Sequence, residues 1–308
     1  MLLVTNGSSA VGNLEAAGIP GEKLPWDDVL HDGPVPAGLD LPELSTVRAR
    51  FIADCGWAPA EEVREAFRRR DERLAASAGE DEVLLWFEHD LYDQLQLVQV
   101  LDWVAAATRR PHRLTLICRA AYVANEPADS LHAAFEAREE VRAAALRLAR
   151  RAWTAFRAPN PRALAGLLTE DGGELPFLAA AVRRFLEEYP GSGDGLARSE
   201  RQALIAVRSN PGVTARDLFA SAVVREEPAY LGDSSFFRYL EALRQDPYPL
   251  LAENGSGALH LSRAGEDVLD CRVDRVRLRG LERWYGGVRM TGGNVWRWNP
   301  ESALIEPE

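Results

Sequence analysis

The stretch Val83-Leu84-Leu85-Trp86-Phe87-Glu88-His89-Asp90 constrains the fold of this chain more than any other. Five consecutive apolar residues suit a strand buried on both faces, and the switch to charge followed by a helical repeat ends that strand abruptly. Glu88, His89 and Asp90 then lie at the strand's carboxyl end, where open α/β sheets keep their ligand sites. Asp90 stands where a helix N-cap is needed, with Asp93 three positions later, and Leu91, Leu95, Val98, Leu101 and Val104 form the apolar stripe of the next helix. A cap explains Asp90. It does not explain Glu88 and His89, because burial gives no reason for charge between strand and cap; with Tyr92, Asp93 and Gln94 just beyond, this junction is the candidate site.

The residues before and after it repeat the strand–helix alternation. Leu2-Leu3-Val4-Thr5 reads as a first strand and Asn6-Gly7-Ser8-Ser9 as a tight polar turn into a helix from Val11 to Ala17. Such a turn is either an anion cradle, with backbone N–H groups and hydroxyls facing a phosphate or carboxylate, or an ordinary strand-to-helix connection. Lys23 to Pro36 reads as extended chain interrupted at Pro25 and halted by Asp32-Gly33-Pro34, and it carries Trp26 and Asp28 as candidate ligand contacts. Its His31-Asp32 pair supplies an imidazole oriented by a carboxylate, or else Asp32 caps the turn and His31 packs beside Trp26. Helices are expected from Pro42 to Phe51 and from Pro59 to Leu74, and a second buried strand from Arg113 to Cys118.

Taken together, residues 1–125 are expected to form a Rossmann-like α/β domain with a mostly parallel sheet. Residues 126–195 read as a helical connector, with Ser130 capping one long helix to Phe156 and Pro190 to Gly195 as a linker. Residues 196–308 read as a winged-helix-like domain. Its helices open at the Ser199-Glu200-Arg201-Gln202 capping box, at Thr214 and near Ser234, and a hairpin turns at Asn254-Gly255-Ser256-Gly257. The tail, with Trp284-Tyr285 and Trp296-Arg297-Trp298, reads as an aromatic hairpin anchored on the body.

Charge decides which partners remain. The residues from Leu196 onward carry 15 Arg and 16 acidic residues, whereas the first 195 carry 21 basic and 31 acidic ones. An acidic front half does not track a phosphate backbone, so DNA binding is left to residues 196–270. No apolar run approaches the ~20 residues that span a bilayer, and the N-terminus lacks a basic leader, so the expectation is a cytoplasmic protein without a membrane partner. Cys55, Cys118 and Cys271 are too far apart for a zinc pair and are expected as free thiols.

Several of these stretches resemble the bacterial family called domain of unknown function 1835. The resemblance rests on Asn6-Gly7-Ser8, on Leu24 to Val35 (LPWDDVLHDGPV), on Leu85 to Leu95 (LWFEHDLYDQL), on Leu175 to Leu178 and on Gly195 to Gln202, and so covers most of the chain. The family has Asp or Glu more often after the first Gly, where Ser8 stands, which argues against an acidic metal ligand there. Its name brings no reaction with it.

The residues themselves suggest one. His31 and His89 are candidates for acid–base work, with Asp32 or Glu88 tuning one of them and Asp90 beside them. Asn6, Gly7, Ser8, Ser9, Trp26, Asp28, Tyr92 and Asp93 would contact a small molecule, such as a nucleotide or other phosphorylated compound. A hydrolase or group-transfer enzyme fits this set. A ligand-sensing regulator that binds DNA through the winged helix is the alternative, and an enzyme whose winged helix mediates a homodimer is a third. No P-loop, nucleophilic Ser elbow or complete metal-ligand set occurs, so the sequence assigns neither cofactor nor metal, although His and carboxylates can hold a divalent cation.

Overall fold

A computed structural model describes residues 1–169, 173–245 and 247–308. The chain opens with β1 (Leu2–Thr5), α1 (Ser8–Ala16), β2 (Glu22–Pro25) and the two-residue β3 (Gly33–Pro34). It continues through α2 (Leu41–Asp54), α3 (Ala60–Ala76), β4 (Glu82–Glu88), α4 (Leu91–Ala106), β5 (Arg113–Arg119), α5 (Ala128–Glu136), β6 (Glu139–Glu140) and α6 (Ala143–Phe156). Five strands form one sheet in the order β2-β1-β4-β5-β6, parallel except for β6.

The apolar run of β4 works as its composition demands. Val83, Leu85 and Phe87 join a core that includes residues of α4 and α6, while Leu84 and Trp86 join a second core with Leu14 of α1 and Leu131 of α5. Period-two alternation thus buries both faces of one strand. Helix α4 is buried far beyond its apolar stripe, because α6 and α8 (Leu178–Leu186) also pack on it. Two of its buried amides bond to the segment after β2: Trp26 Nε1 donates to Gln99 Oε1 at 2.8 Å, and Gln96 Nε2 donates to the Asp28 carbonyl at 3.0 Å.

One expected element is absent. Ser130 does not cap a helix reaching Phe156; α5 ends at Glu136, and α6 begins at Ala143 after β6 has crossed the edge of β5. The sheet edge outcompetes helix propensity: the Val141 N–H donates to the Leu114 carbonyl at 2.9 Å, and Arg138 pairs with Glu82 at 2.8 Å. Ser130 instead donates to Glu126 Oε2 at 2.5 Å.

After α7 (Arg162–Gly166) and α8 come α9 (Arg198–Ser209), α10 (Ala215–Arg225), α11 (Asp233–Arg244), the antiparallel pair β7 (Leu251–Glu253) and β8 (Leu259–Leu261), α12 (Arg263–Leu269) and α13 (Arg275–Arg279). These share a separate core built on Leu204, Val207, Leu218, Phe236, Leu240 and Leu259. Helix α9 starts one residue before the expected box: Glu200 reaches back to the Ala197 N–H at 3.0 Å, and the Ser199 hydroxyl goes to Glu188. The thirteen α-helices among the described residues include none long and apolar enough to cross a membrane.

The tail returns to the front of the molecule. Strands β9 (Arg283–Gly286) and β10 (Val288–Met290) form a hairpin, β9 pairs in parallel with β3, and β11 (Trp296–Asn299) pairs with β12 (Leu304–Pro307). Tyr285, Met290, Trp296 and Trp298 are buried in the larger front core, so the aromatic residues anchor the tail as expected. Pro190 to Gly195 is not a loose linker, because the Ser192 N–H donates to the Trp298 carbonyl and the Trp298 N–H to the Pro190 carbonyl, both at 2.9 Å.

The β9–β10 turn admits no side chain. A Cβ on Gly287 would lie 1.9 Å from the Arg157 carbonyl oxygen, whereas one on Gly292 would meet nothing within 4 Å. Gly287→Ala should therefore cost about 2–4 kcal/mol in denaturant unfolding, and Gly292→Ala less than about 1 kcal/mol, since only the first forces backbone apart.

Candidate functional site

Each functional side chain reaches the site by an element whose local sequence dictates it. Strand β4 ends at Glu88, and α4 begins at Leu91 with Asp90 as N-cap, its carboxylate accepting the Asp93 N–H at 3.1 Å. Asp93, in the first turn, turns back: Oδ1 accepts the Glu88 N–H at 2.6 Å, and Oδ2 accepts Asn6 Nδ2 at 2.9 Å. Glu88 Oε1 accepts the Val123 N–H at 2.7 Å, which brings the loop after β5 to the same point. Asn6 follows β1, the neighbour of β4, so adjacent parallel strands deliver these groups from their carboxyl ends.

The result is a cluster of three buried carboxylates. Ligand-type oxygens of Glu88, Asp90 and Asp93 all lie within 4.8 Å of one another, and these residues are only 5%, 3% and 1% exposed. Among the described residues no Arg or Lys forms an ion pair with any of them. Burial pushes the Glu88 carboxyl up to about 7, with the Asp90 charge adding to it, and burial pushes Asp90 up to about 6. Asp93 is raised well above the usual carboxylate range by burial and by both neighbouring carboxylates. Two routes relieve such a cluster: retained protons, or one hard cation such as Mg²⁺ or Ca²⁺, for which an all-oxygen set is suited.

The two histidines have different surroundings. His89 is half-buried, its ring 5.3 Å from that of Tyr122 and 5.8 Å from that of Phe177, and its Nδ1 is buried without a partner. His31 is 5% exposed, lies 6.1 Å from the Tyr92 ring and 5.1 Å from the Tyr230 ring, and neither ring nitrogen has a partner. Burial lowers His31 to about 4, so it stays neutral at neutral pH. Tyr92 carries the connection onward, its hydroxyl donating to the Asn6 carbonyl at 3.4 Å.

Other expected contacts have different neighbours. Asp32 pairs with Arg238 of α11, whose charge, with that of Arg283, keeps it ionised despite burial. Asp28 is fully buried against Arg48 at 2.9 Å, and Trp26 is fully buried with the Arg70 guanidinium 4.1 Å from its ring centroid, so neither reaches the carboxylates. The Asn6–Ser9 turn is closed to anions by the chain itself: Asp27, at φ 48°, accepts the Ser8 N–H at 3.2 Å and the Ser8 hydroxyl at 2.8 Å. A Cβ on Gly7 would fall 2.8 Å from Asp27 Oδ1, and Ser9 is exposed.

Three participants had no signal in sequence. Tyr122, Tyr230 and Arg283 reach the histidines or Asp32 only because the loop after β5, the segment after α10 and the tail fold inward. The chain matches no known family model, and no curated protein is similar to it.

The cluster sets a sign for pH dependence. Glu88 and Asp90 have folded pKa values above the unfolded ones, so the folded state holds protons that the unfolded state releases. The associated stability is present below about pH 4 and is lost as pH rises through 6 and 7. In buffer freed of divalent cations, Glu88→Gln should therefore be more stable than the parent at pH 8 by about 1–2 kcal/mol, with the advantage shrinking or reversing at pH 5. Thermal unfolding at the two pH values checks this.

Proposed function

We propose that this protein is an enzyme of the hydrolase or group-transfer type, acting on a small polar molecule bound at the carboxyl ends of β1, β4 and β5. The observation that carries this reading is the cluster of three buried carboxylates without a basic partner, bordered by a half-buried imidazole. A structural ion-pair network neutralises its charges. This cluster does not, and such an arrangement is unfavourable for folding and useful for moving protons.

In this reading Glu88 is the general acid or base, because its carboxyl is poised near neutrality and half of its oxygens are held by the Val123 N–H. Burial, helped by the neighbouring Asp90 charge, keeps that carboxyl protonated, Asn6 fixes Asp93, and His89 serves as the second proton-transfer group from the accessible side. His31, buried and neutral, shapes the wall behind Tyr92 rather than exchanging protons with solvent. The substrate is neutral or cationic: three carboxylates and the Asp27 plug over α1 disfavour a free phosphate unless a cation bridges it.

The order of α9, α10, α11, the β7–β8 hairpin and α12 corresponds to a winged helix, and we read it as a packing module for the front domain. Arg238 of α11 pairs with Asp32, Arg244 pairs with Glu241 and Glu253, and Ser235 is 2% exposed. A recognition helix whose cations face its own protein has no positive surface for phosphate contacts. The resemblance to domain of unknown function 1835 is consistent with one site shared across that family's long motifs.

A panel of small acyl, amide and glycosyl substrates, each assayed with and without Mg²⁺, tests the reading. Turnover is expected on a neutral substrate, and Glu88→Gln and His89→Ala should each lower it at least about 100-fold while the melting temperature changes by no more than a few degrees. Loss of activity only through unfolding, or unchanged activity in Glu88→Gln, contradicts it. Electrophoretic mobility at two salt concentrations should show no salt-sensitive retardation of duplex DNA.

A further inference from the structure

The front sheet ends in an edge that the chain covers only in part. Strand β6 pairs with β5 at Thr115↔Glu140 and Leu116↔Glu139, and the Val141 N–H donates to the Leu114 carbonyl at 2.9 Å. Every second residue of a strand turns its N–H and C=O to the same side. Leu114 and Leu116 therefore face β6, and Cys118, next in that series, faces the same edge. The residue that would oppose it in this register, Ala137, gives its own N–H to the Ala133 carbonyl at 3.1 Å and so belongs to α5. On its other side β5 stays paired with β4 as far as Arg119, which holds the strand extended. The Cys118 N–H and C=O are thus a main-chain donor and acceptor without a partner among the described residues.

This edge borders a groove of about 670 Å³, within the range of small-molecule pockets. Cys118 lines it together with Pro176 and with Ala133 and Ala137 of the α5 end. Ala133 and Ala137 are exposed and carry only a methyl group, so a second backbone has room to approach. Glu139 also lines the groove, is exposed, and forms no ion pair among the described residues. The cations beside it are already taken, Arg119 by Glu126 and Arg142 by Glu174 at 3.0 Å. The uncompensated charge in the groove is therefore negative.

We propose that this groove binds a short peptide in extended form, added to the free edge of β5 through the Cys118 main chain, with a basic side chain towards Glu139. A strand edge whose main-chain groups are uncovered is a template for another strand, which is how extended peptides are recognised on sheets. The peptide is short because β5 runs only from Ile117 to Arg119 beyond its last pair with β6. Glu88 stands in register with Arg119, so the open edge ends level with the carboxylate junction. The site nevertheless stands independently of the catalytic reading.

The probes are acetyl-Val-Arg-Val-amide, the same peptide with methyl groups on its backbone nitrogens, and acetyl-Val-Ser-Val-amide. Calorimetric titration of the full chain should give saturable binding of the first and at least about tenfold weaker binding of the methylated form, which cannot donate to the edge. The Ser peptide should bind about threefold more weakly than the Arg peptide, a difference that Glu139→Gln removes. The chain has three cysteines, so labelling with nitrogen-15 cysteine gives three backbone signals, one of them at the edge itself. Saturation with the Arg peptide should slow hydrogen exchange at Cys118 about tenfold or more and leave Cys271 unchanged. Ala133→Tyr fills the groove from an exposed helical position and should abolish binding with the melting temperature within a few degrees of the parent; the methylated peptide needs no variant and decides the matter if Ala133→Tyr does not fold. No saturable binding, equal affinity for either control peptide, unchanged exchange at Cys118, or binding intact in Ala133→Tyr would overturn the proposal. A Cys118 amide already protected in a dimer of the free protein would do so too, because a second copy then takes the edge.

Discussion

Three carboxylates that lie within 4.8 Å of one another and out of water cannot all be charged without a counter-ion, and no Arg or Lys among the described residues forms an ion pair with them. The cluster is nevertheless forced by ordinary local requirements. A strand buried on both faces must end somewhere, the helix after it needs a cap, and Asp90 supplies it. Asp93 then satisfies the Glu88 N–H and the Asn6 amide, two donors that would otherwise be lost in a buried junction. The positive end of α4 offsets part of the repulsion. The rest is relieved by retained protons or by a hard cation.

Elsewhere the molecule takes the opposite course. Buried cations and carboxylates are paired wherever the tail and helices meet the front sheet: Asp28 with Arg48, Asp32 with Arg238, and Arg184 with Glu188 and Glu226 at 2.7 Å each. Such pairs add little net stability, but removing one partner strands the other, so they fix which surfaces meet. His31 lies among them, between Tyr92 and Tyr230, with neighbouring charges of both signs. These neutralised pairs contrast with the cluster, whose three carboxylates form no ion pair with an Arg or Lys among the described residues.

Much of this was legible in sequence because it depends on short-range patterns. The apolar run of β4, the cap at Asp90, the cap at Thr214 and the β7–β8 hairpin follow from residue spacing and turn chemistry alone, and the structure has each of them. The interrupted helix after Ser130 did not, because the decisive competitor was a sheet edge distant in sequence. Asp28 and Trp26 read as ligand contacts since a polar, Trp-containing segment stood out, yet their partners Arg48 and Arg70 come from α2 and α3, which no local pattern links to them. The same holds for Ser8, whose hydroxyl and N–H donate to Asp27 in the segment after β2. Pairings across the fold are set by topology, and topology is the part that periodicity does not encode.

The protonation of the cluster is open to direct observation. Carbon-13 NMR of carboxyl-labelled Asp and Glu, titrated in buffer freed of divalent cations, resolves the side chains by comparison with Glu88→Gln. The account predicts a Glu88 resonance that titrates near pH 7 and at least one further carboxyl of the cluster that keeps its proton above pH 5. Midpoints near pH 4 for all three would mean that the charges coexist unrelieved, and the proposed acid–base centre would lose its basis.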